Sequence, residues 1–413
     1  MALAFLAVGT GMGLARQGGA GALDTLYAED GQVFLGQALG DSPVDAFSTP
    51  YVGYFHAVPR LIAEVVAAAP LESAAALFAS ISAFVVACVG LLVYRASASH
   101  IESRLVRSLL AASVVLIPVG QRDALNNAAN LHWFLMFGGV WVLLWRTDVV
   151  WELAAGSMVL FLAALSDPIT IVLVPIAVAR LVALKGVQGR IFSFACLAGL
   201  AVQLVAILLS DARREDLSPT FNPIELAVLY GYWVVAAAMV GIRFVADPRA
   251  RSNQAAAVAA LLVAAVIAVG ILRAGTRFKP AVAVLFVMSV LFYLAPVAPT
   301  GGSPQRYAVA PVLLLFSGIA CAADVLVVGR QMTPRQRSAW TACLLMIVAI
   351  WGANFRVANE RGRGQRWSAA LVQARSTCSE ESASDVTVPI TPPGWHITLP
   401  CAVAGPSSTS TPR

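Results

Sequence analysis

Long apolar runs alternate with short polar segments along most of this chain. Residues 73–94, 255–272 and 307–323, for example, contain no charged side chain. A helix needs about 20 consecutive apolar residues to cross a bilayer, and runs of this composition are typical of membrane spans. The pattern therefore predicts an all-α polytopic membrane protein with about 11–13 transmembrane helices.

The segments predicted to be spans are residues 2–15, 73–94, 106–120, 131–145, 149–165, 169–184, 191–209, 224–245, 255–272, 280–297, 306–328 and 338–355. Several are short for a full crossing, which is tolerated where protein or a water-filled cavity surrounds the helix ends. The Ser166-Asp167-Pro168 break between two of them is such a place. Residues 2–15 are interpreted as a first span and not as a signal peptide, because no basic segment precedes them and no clear cleavage signal follows.

Two segments depart from this pattern. Residues 16–72 form a long first extracytoplasmic loop, and its part at 49–62 is aromatic and then amphipathic, which predicts a helix lying in the headgroup zone. After the transmembrane domain of residues 1–355, residues 356–413 are predicted to form a small polar tail outside the membrane. Its middle resembles two short strands around a Pro-Gly turn. Its Ser/Thr/Pro-rich end, residues 406–413, is predicted to be disordered.

Composition supports a membrane location. The chain is 59% hydrophobic and 12% charged, against roughly 25% charged residues in an average soluble domain. The formal net charge of +6 is spread over short loops, where it reports membrane topology. Because no basic stripe with interleaved aromatic residues is present, we expect the lipid bilayer as a partner and no nucleic acid.

Lys and Arg residues in the short loops predict the sides of the membrane, because cytoplasmic loops carry an excess of both. In the first half of the chain, every second loop is basic, and all of these basic loops are cytoplasmic if the amino terminus is cytoplasmic. The segments that then share the outside are residues 16–72, 121–130, 167 and 210–222. In the second half, arginines after residue 356 favour an inside tail, whereas the basic loop 330–337 favours an outside one. We expect the tail outside, with one span between residues 222 and 301 miscounted.

The cysteines divide into two groups. Four of the six lie within apolar runs, where free cysteine behaves as a small hydrophobe. Cys378 and Cys401 lie in the polar tail and predict one disulfide if the tail is outside the cytoplasm. Their spacing from other Cys and His residues contains no metal-site signature.

The first loop opens with three acids, Asp24, Glu29 and Asp30. Carboxylates beside a bilayer are costly unless solvent, a cation or a substrate needs them. Glu29 and Asp30 are therefore predicted to be catalytic, because an exposed carboxylate can accept a proton from an attacking hydroxyl. They could also coordinate a divalent cation. The alternative is a solvated loop in which Asp30 caps the helix that follows.

Polar residues also crowd the segment before the predicted span 131–145. They are Arg122, Asp123, Asn126, Asn127, Asn130 and His132, followed by Trp133. At helical spacing, Asn126, Asn130 and Trp133 share one face. Amides beside an indole ring suit a sugar, because amides bond hydroxyl groups and the indole contacts the apolar sugar face. The alternative is a satisfied loop with an interfacial tryptophan.

Further binding residues are predicted at other span ends. His56 and Arg60 stand four positions apart and share a face if that segment is helical. Arg60 and Arg306 are predicted to bind a phosphate through their planar guanidinium groups, with Tyr307 beside the second. Asp167 adds an acid at or near membrane depth. The alternatives are headgroup snorkelling for Arg60, a topology charge for Arg306 and a helix cap for Asp167.

These features resemble the GT-C superfamily of integral-membrane glycosyltransferases, which use polyprenyl-phosphate-linked sugars. Members carry an acidic motif in the first extracytoplasmic loop, and Glu29-Asp30 stands in that place, with the amphipathic segment 49–69 after it. The motifs at residues 27–31, 130–133 and 306–307 are also similar to uncharacterised actinobacterial membrane proteins.

The resemblance implies a GT-C-like fold and a sugar transferase at the extracytoplasmic face of a bacterial plasma membrane. Asp30, or Glu29, would be the base that activates an acceptor hydroxyl for attack on the anomeric carbon. Arg60, Arg122 or Arg306 would hold the departing phosphate. The expected partners are a polyprenyl-phosphate-linked sugar and a glycan, lipid or protein acceptor of the cell envelope.

Two other functions stay open. A glycolipid or small-solute transporter or flippase would place polar residues near the middle of its spans, often with a repeat between halves. This chain has few mid-span charges and no visible repeat. A polymerase or ligase of surface glycans would also need long outer loops. Within the transferase interpretation, the family's second acidic motif is matched only by Asp123 or Asp167, so metal dependence stays open.

Overall fold

The computed structural model of the protein describes residues 2–210, 218–245, 280–327, 333–380 and 383–405. Most of these residues are helical, and two short strands lie near the carboxyl end. The predicted span 255–272 and the predicted disordered end 406–413 lie outside the described residues.

The helices, numbered in chain order, are α1 (Ala2–Ala15), α2 (Gly36–Gly40), α3 (Pro43–Ser48), α4 (Ala57–Ala67), α5 (Ala74–Ala96), α6 (Arg104–Leu116), α7 (Leu131–Leu144), α8 (Val150–Ser166), α9 (Val174–Ala183), α10 (Gly186–Leu209), α11 (Pro223–Tyr230), α12 (Ala237–Val240), α13 (Ile242–Val245), α14 (Pro280–Thr300), α15 (Val309–Val327), α16 (Pro334–Ala353), α17 (Trp367–Glu380) and α18 (Cys401–Ala404). The strands are β1 (Asp385–Pro389) and β2 (His396–Pro400). Short 3-10 turns lie at Ala22–Asp24, Leu71–Ser73, Ser97–Ser99, Pro168–Leu173, Gln305–Ala308 and Glu360–Gly362, and π-helical turns at Asp30–Leu35 and Gly231–Ala236.

Many of these helices are apolar enough to lie in a membrane. Within the described ranges, five stretches are long enough to cross one: Leu71–Ser99, Gly186–Leu209, Pro223–Val240, Pro280–Thr300 and Gln305–Asp324. The shorter apolar helices are Ala2–Ala15, Leu131–Leu144, Val150–Ser166, Pro168–Ala183 and Trp340–Ala353. Each predicted span within the described residues coincides with a helix or with consecutive helices. The all-α membrane class is therefore confirmed, while the number of crossings stays a prediction.

Helix α7 lies at the centre of the bundle, where it packs against α5, α8 and α15. Nearly all of its residues are buried, as expected for a helix that is apolar on all sides. Gly139 lets neighbours approach closely, since a Cβ there would come within 3.1 Å of the Leu160 and Leu173 side chains. The indole N–H of Trp141 donates to Ser317 Oγ at 3.1 Å. This packing fixes the amino-terminal end of α7, which carries the predicted site residues.

Helix α4 is the amphipathic helix that the first loop predicts. Ile62, Ala63 and Val66 are buried, whereas Leu61 and Val65 are exposed. The buried face packs against the turn Asp30–Leu35 and against α8. Exposed apolar residues on the other face suit a helix that lies in the membrane interface.

The tail folds into α17, a two-stranded antiparallel sheet and α18. The strand register runs from Asp385 paired with Pro400 to Pro389 paired with His396. Alternate residues of each strand are buried, as period-2 alternation requires. A disulfide joins Cys378 in α17 to the first residue of α18. The predicted strands and the predicted disulfide are therefore confirmed.

The tail packs directly against the first loop. Ala28 N–H donates to the Thr391 carbonyl oxygen at 2.6 Å, and Thr391 N–H donates to the Leu26 carbonyl oxygen at 3.1 Å. The indole N–H of Trp367 donates to the Leu71 carbonyl oxygen at 2.8 Å. The tail and residues 16–72 therefore lie on one side of the helical bundle, in agreement with the topology that puts both outside.

Candidate functional site

A cavity of about 310 Å³ lies where the first loop meets the amino-terminal end of α7 and the carboxyl-terminal end of α14. The predicted site residues that line it are Glu29, His56, Asn130, His132, Trp133, Asp167, Arg306 and Tyr307. Residues without a prior prediction also line it, among them Phe34, Tyr51, Val52, Tyr54, Pro296, Pro299 and Thr300. Segments that are far apart in the sequence therefore meet at one place.

The two adjacent acids of the first loop have different surroundings. Glu29 lines the cavity. Asp30 is 1% exposed, and its two carboxylate oxygens accept the backbone N–H groups of Ala128 and Ala129 at 2.9 and 2.8 Å. Burial raises the pKa of Asp30 to about 7. Asp30 thus anchors the loop before α7, and Glu29 is the member of the pair that can meet a ligand in the cavity.

The backbone around Glu29 explains this division. Ala28 has a φ of +44°, in a region that costs a residue other than glycine about 1–3 kcal/mol. Its N–H bond to Thr391 of the tail holds it there. The π-helical turn Asp30–Leu35 follows at once, and successive residues of a helical turn point in different directions. Glu29 and Asp30 therefore face different neighbours.

His132 and Asp167 form a buried pair at the cavity wall. His132 Nδ1 lies 2.8 Å from the Ala129 carbonyl oxygen, so this nitrogen carries a proton that it donates. His132 Nε2 lies 3.2 Å from Asp167 Oδ2. A proton must lie between these two atoms, because two bare lone pairs would repel each other at that distance. Asp167 Oδ1 accepts the Ile169 N–H at 2.7 Å, so the helix cap given as the alternative role of Asp167 is present together with the histidine contact.

Arg306 supplies a positive charge to the cavity. Its Nη1 donates to Asp123 Oδ2 at 3.2 Å, and its guanidinium lies over the Tyr307 ring, 5.5 Å from the centroid. Burial raises the pKa of Asp123, while Arg306 opposes this rise. Tyr307 in turn contacts Trp133 with ring centroids 5.3 Å apart. Asp123 itself lies behind the wall and orients Arg306.

His56 belongs to a cluster of rings on the first loop. Its imidazole stacks on Tyr54 with centroids 4.2 Å apart, and it lies 5.5 Å from Phe34 and 5.4 Å from Tyr51. Burial, together with nearby His132, lowers the pKa of His56 to about 3. His56 is therefore neutral at pH 7. The contact of Nδ1 with the Tyr54 carbonyl oxygen, at 3.2 Å, then places the ring proton on Nδ1.

Two predicted phosphate-binding arginines do not border the cavity. Arg60 is buried and donates to Gln37 Oε1 at 2.9 Å and to the Ala46 carbonyl oxygen. Burial lowers the pKa of Arg60 to about 10. Arg122 forms an exposed ion pair with Glu360 at 2.8 Å. Arg60 thus holds the first loop together, and Arg122 joins the second polar segment to the tail.

Two predicted amides are also used by the protein itself. Asn126 Nδ2 donates to the Gly13 carbonyl oxygen at 3.0 Å and to Gln17 Oε1 at 2.9 Å. Asn127 Oδ1 accepts the Asn130 N–H at 3.3 Å. The helical face expected for residues 126–133 does not form, because α7 begins only at Leu131. Asn130 alone of these three amides borders the cavity.

Arg361 of the tail is a site-supporting residue that the sequence did not indicate. It is 2% exposed and donates to the Thr25 carbonyl oxygen at 2.7 Å and to the Asn126 carbonyl oxygen at 2.9 Å. Its guanidinium lies over the Tyr27 ring at 4.7 Å. One arginine thus links the segment that carries Glu29 to the segment that carries Asn130. In the sequence it is only one of several tail arginines.

The acidic residues of the first loop are also predicted to be able to coordinate a divalent cation. Among the residues that the structure describes, no group of three or more His, Cys, Asp or Glu side chains could hold a metal ion together. In the cavity wall, Glu29 and Asp167 are the acids, and Asp167 is engaged with His132. The divalent cation stays a prediction without a built set of ligands.

Comparison with known proteins gives no relative from which to transfer a function. No protein family matches the chain, no curated protein matches it, and no solved structure matches it. The resemblance to the GT-C superfamily therefore stays a prediction. The chemistry of the residues around the cavity is what indicates a function.

Proposed function

We propose that the protein is a GT-C-type membrane glycosyltransferase, which transfers a sugar from a polyprenyl-phosphate donor to a glycan, lipid or protein acceptor. One observation carries the proposal: Glu29, Asn130 and Arg306, from three distant segments, line the same cavity of about 310 Å³. A carboxylate, an amide and a guanidinium are the groups that such a transfer needs. This volume is at the small end of ligand pockets, as suits a sugar and its phosphate.

The proposed step assigns one role to each charged group. The acceptor hydroxyl oxygen attacks the anomeric carbon and forms the new glycosidic bond, while its proton passes to the Glu29 carboxylate. The bond between the anomeric carbon and the phosphate oxygen breaks, and the electron pair leaves with the polyprenyl phosphate. Arg306 stabilises the charge that develops there. The Asn130 side-chain amide provides hydrogen bonds to sugar hydroxyls.

A lipid-linked donor agrees with the surroundings of the cavity. Pro296 and Pro299 of α14 line it, and Val287 and Leu291 of the same helix are exposed apolar residues. The exposed face of α4 adds Leu61 and Val65. A polyprenyl chain in the bilayer could therefore lie against these helices while its phosphate reaches Arg306.

The proposed location is the extracytoplasmic face of a bacterial plasma membrane. The tail packs on the first loop and contains the Cys378–Cys401 disulfide, and disulfides persist in oxidising compartments. A transporter is a weaker interpretation. In the described spans, charged residues lie near helix ends, as Arg95, Glu152 and Arg180 do, and not at mid-membrane where transport sites form.

The proposal is tested by sugar transfer in membranes that contain the protein. Polyprenyl-phosphate donors carrying different labelled sugars are supplied, and the variants are Glu29→Gln and Arg306→Gln. Removing a general base lowers the rate by about 10²–10⁴-fold. Glu29→Gln is therefore expected to abolish sugar transfer while the amount of protein in the membrane stays normal. Arg306→Gln is expected to lose it as well.

Asp41→Asn is the matched control, because Asp41 is an exposed acid of the same loop that does not line the cavity. It should transfer at the wild-type rate. Wild-type transfer that persists in both Glu29→Gln and Arg306→Gln would refute the catalytic roles. If the lipid-linked donor crosses the vesicle membrane and no sugar is transferred, a flippase would be favoured instead.

A further inference from the structure

A tight turn at residues 51–54 forms part of the cavity wall. Tyr51 N–H donates to the Tyr54 carbonyl oxygen at 3.0 Å, and Tyr54 N–H donates back to Tyr51 at 3.3 Å. Val52 and Gly53 between them have φ values of +47° and +90°, as in a type I′ turn. Glycine adopts such a φ freely, whereas a β-branched valine is strained there.

The strained valine lies at the cavity. Val52 lines the wall and is half-exposed. A residue other than glycine held at positive φ is strained, and such residues cluster at ligand clamps. Glycine at this position would relieve the strain, so the valine side chain does not serve the stability of the turn. This indicates that the turn has a role toward a ligand.

The turn presents two tyrosines that are backed by other rings. Tyr51 and Tyr54 both line the cavity and are both half-buried. Tyr54 stacks on His56 at 4.2 Å, and Tyr51 meets Phe34 edge-on at 6.1 Å. Each tyrosine ring is therefore held in place by a neighbouring ring while part of its surface borders the cavity.

Trp133, which the sequence suggests as the sugar-contacting ring, has no comparable surface. It is 1% exposed and is enclosed by His132 at 4.7 Å and Tyr307 at 5.3 Å. A ring so enclosed supports Tyr307 and cannot offer its face to a ligand. Burial thus moves the expected aromatic contact from Trp133 to the turn at residues 51–54.

We infer that this turn is the platform for the sugar ring of the donor, with Tyr54 stacking on the apolar sugar face and Arg306 holding the phosphate. The inference rests on the proposed function and adds to it the subsite that selects the ring. A sugar that presents a continuous C–H face would stack on Tyr54, and its hydroxyl edge would reach Asn130. A donor with no ring at this place, such as a bare polyprenyl phosphate, would bind through Arg306 alone.

The test compares Tyr54→Leu with Tyr54→Phe in the transfer assay. Aromatic contacts contribute roughly 0.5–1.5 kcal/mol beyond burial, so Tyr54→Leu is expected to raise the donor KM by about threefold to tenfold with little change in kcat. Tyr54→Phe keeps the ring and should keep the wild-type KM. Tyr94→Leu is the matched control, because Tyr94 lies at the far end of α5 beneath Arg107.

A binding measurement accompanies the assay and does not depend on turnover. Saturation-transfer NMR on the purified protein uses hexose 1-phosphates and pentose 1-phosphates as probes, with inorganic phosphate as competitor. Sugar-ring protons should receive saturation in the wild type and in Tyr54→Phe, and lose it in Tyr54→Leu. Val52→Gly keeps both tyrosines but loosens the turn, so it should raise the donor KM while the melting temperature stays level or rises.

The outcomes separate this inference from the proposed function. If Glu29→Gln abolishes transfer but Tyr54→Leu and Val52→Gly keep the wild-type KM and the NMR signal, the platform is refuted and the transferase stands. If the wild type neither transfers sugar nor binds the sugar phosphates, the proposed function fails and the platform fails with it.

Discussion

Arg361 lies where the tail, the first loop and the segment before α7 meet, so its replacement tests whether the tail is part of the site. The perturbation is Arg361→Gln. It removes the bonds to Thr25 and Asn126, at 2.7 and 2.9 Å, and the contact with the Tyr27 ring. The carbonyl groups that accepted these bonds stay buried behind Glu29.

The expected loss of stability follows from opposing contributions. Hydrogen bonds from a charged donor contribute about 1.5–3 kcal/mol each, and a buried cation–π contact adds about 0.5–2 kcal/mol. Burial opposes them, because it lowers the pKa of Arg361 from 12.5 to about 10, which corresponds to roughly 3 kcal/mol of lost solvation. Arg361 is still charged at pH 7. The net cost of Arg361→Gln is therefore roughly 3 kcal/mol, or about 3 °C in Tm for a chain of this length.

The assay is thermal unfolding of detergent-purified protein, followed by tryptophan fluorescence, together with the transfer rate. Arg361→Lys should recover part of the Tm, because a single ammonium cannot reach both Thr25 and Asn126. Displacement of Glu29 should lower kcat by about tenfold to a hundredfold. Arg363→Gln, an exposed arginine of the same turn, should change neither quantity. An unchanged Tm and rate in Arg361→Gln would mean that the tail is dispensable and that the reasoning is wrong.

Two further predictions concern groups near this junction. The pKa of Asp30 is raised to about 7 in the folded protein against about 3.9 when unfolded, so the folded state binds its proton more tightly and stability falls as pH rises from about 4 to 7. Between pH 5.5 and 7 the fall is roughly 2 kcal/mol, and thermal unfolding of Asp30→Asn should show that part of the pH dependence removed. The Cys378–Cys401 bridge spans 23 positions, and closing such a loop contributes about 3 kcal/mol. Cys401→Ser should therefore lower the Tm by several degrees and abolish its response to reductant, whereas Cys343→Ser should do neither.

The sequence predicted the membrane helices well because their signal is local. Apolar runs identify α5, α10 and α14 without any knowledge of partners, and Pro168 marks the break after α8. The amphipathic pattern of α4 is likewise contained in its own residues. In each case the bilayer or the bundle interior selects the same apolar residues that the pattern shows.

The roles of individual site residues depend on distant segments, and so the sequence did not distinguish them. Glu29 and Asp30 are adjacent acids, and what separates them is the position of the Ala128 and Ala129 N–H groups. Trp133 looks like a binding residue until Tyr307 covers it. The sequence around Arg361 carries no sign of its burial, because its partners are more than two hundred residues away.

The polar groups behind the cavity show why the tail and the site form one structure. Arg16 donates to the Val115 and Ile117 carbonyl oxygens, Asp30 accepts from the loop before α7, and Arg361 joins that loop to the first one. Each of these buried charges is costly without its partners, and the partners come from different segments. The network is therefore satisfied only when all segments are docked together, and this holds the segments that carry Glu29 and Arg306 in fixed positions. Reacting groups must stay free to contact a ligand, so other hydrogen-bonded polar residues have to hold their segments in position. Loosening the tail should therefore reduce transfer even though none of the tail residues that the structure describes lines the cavity.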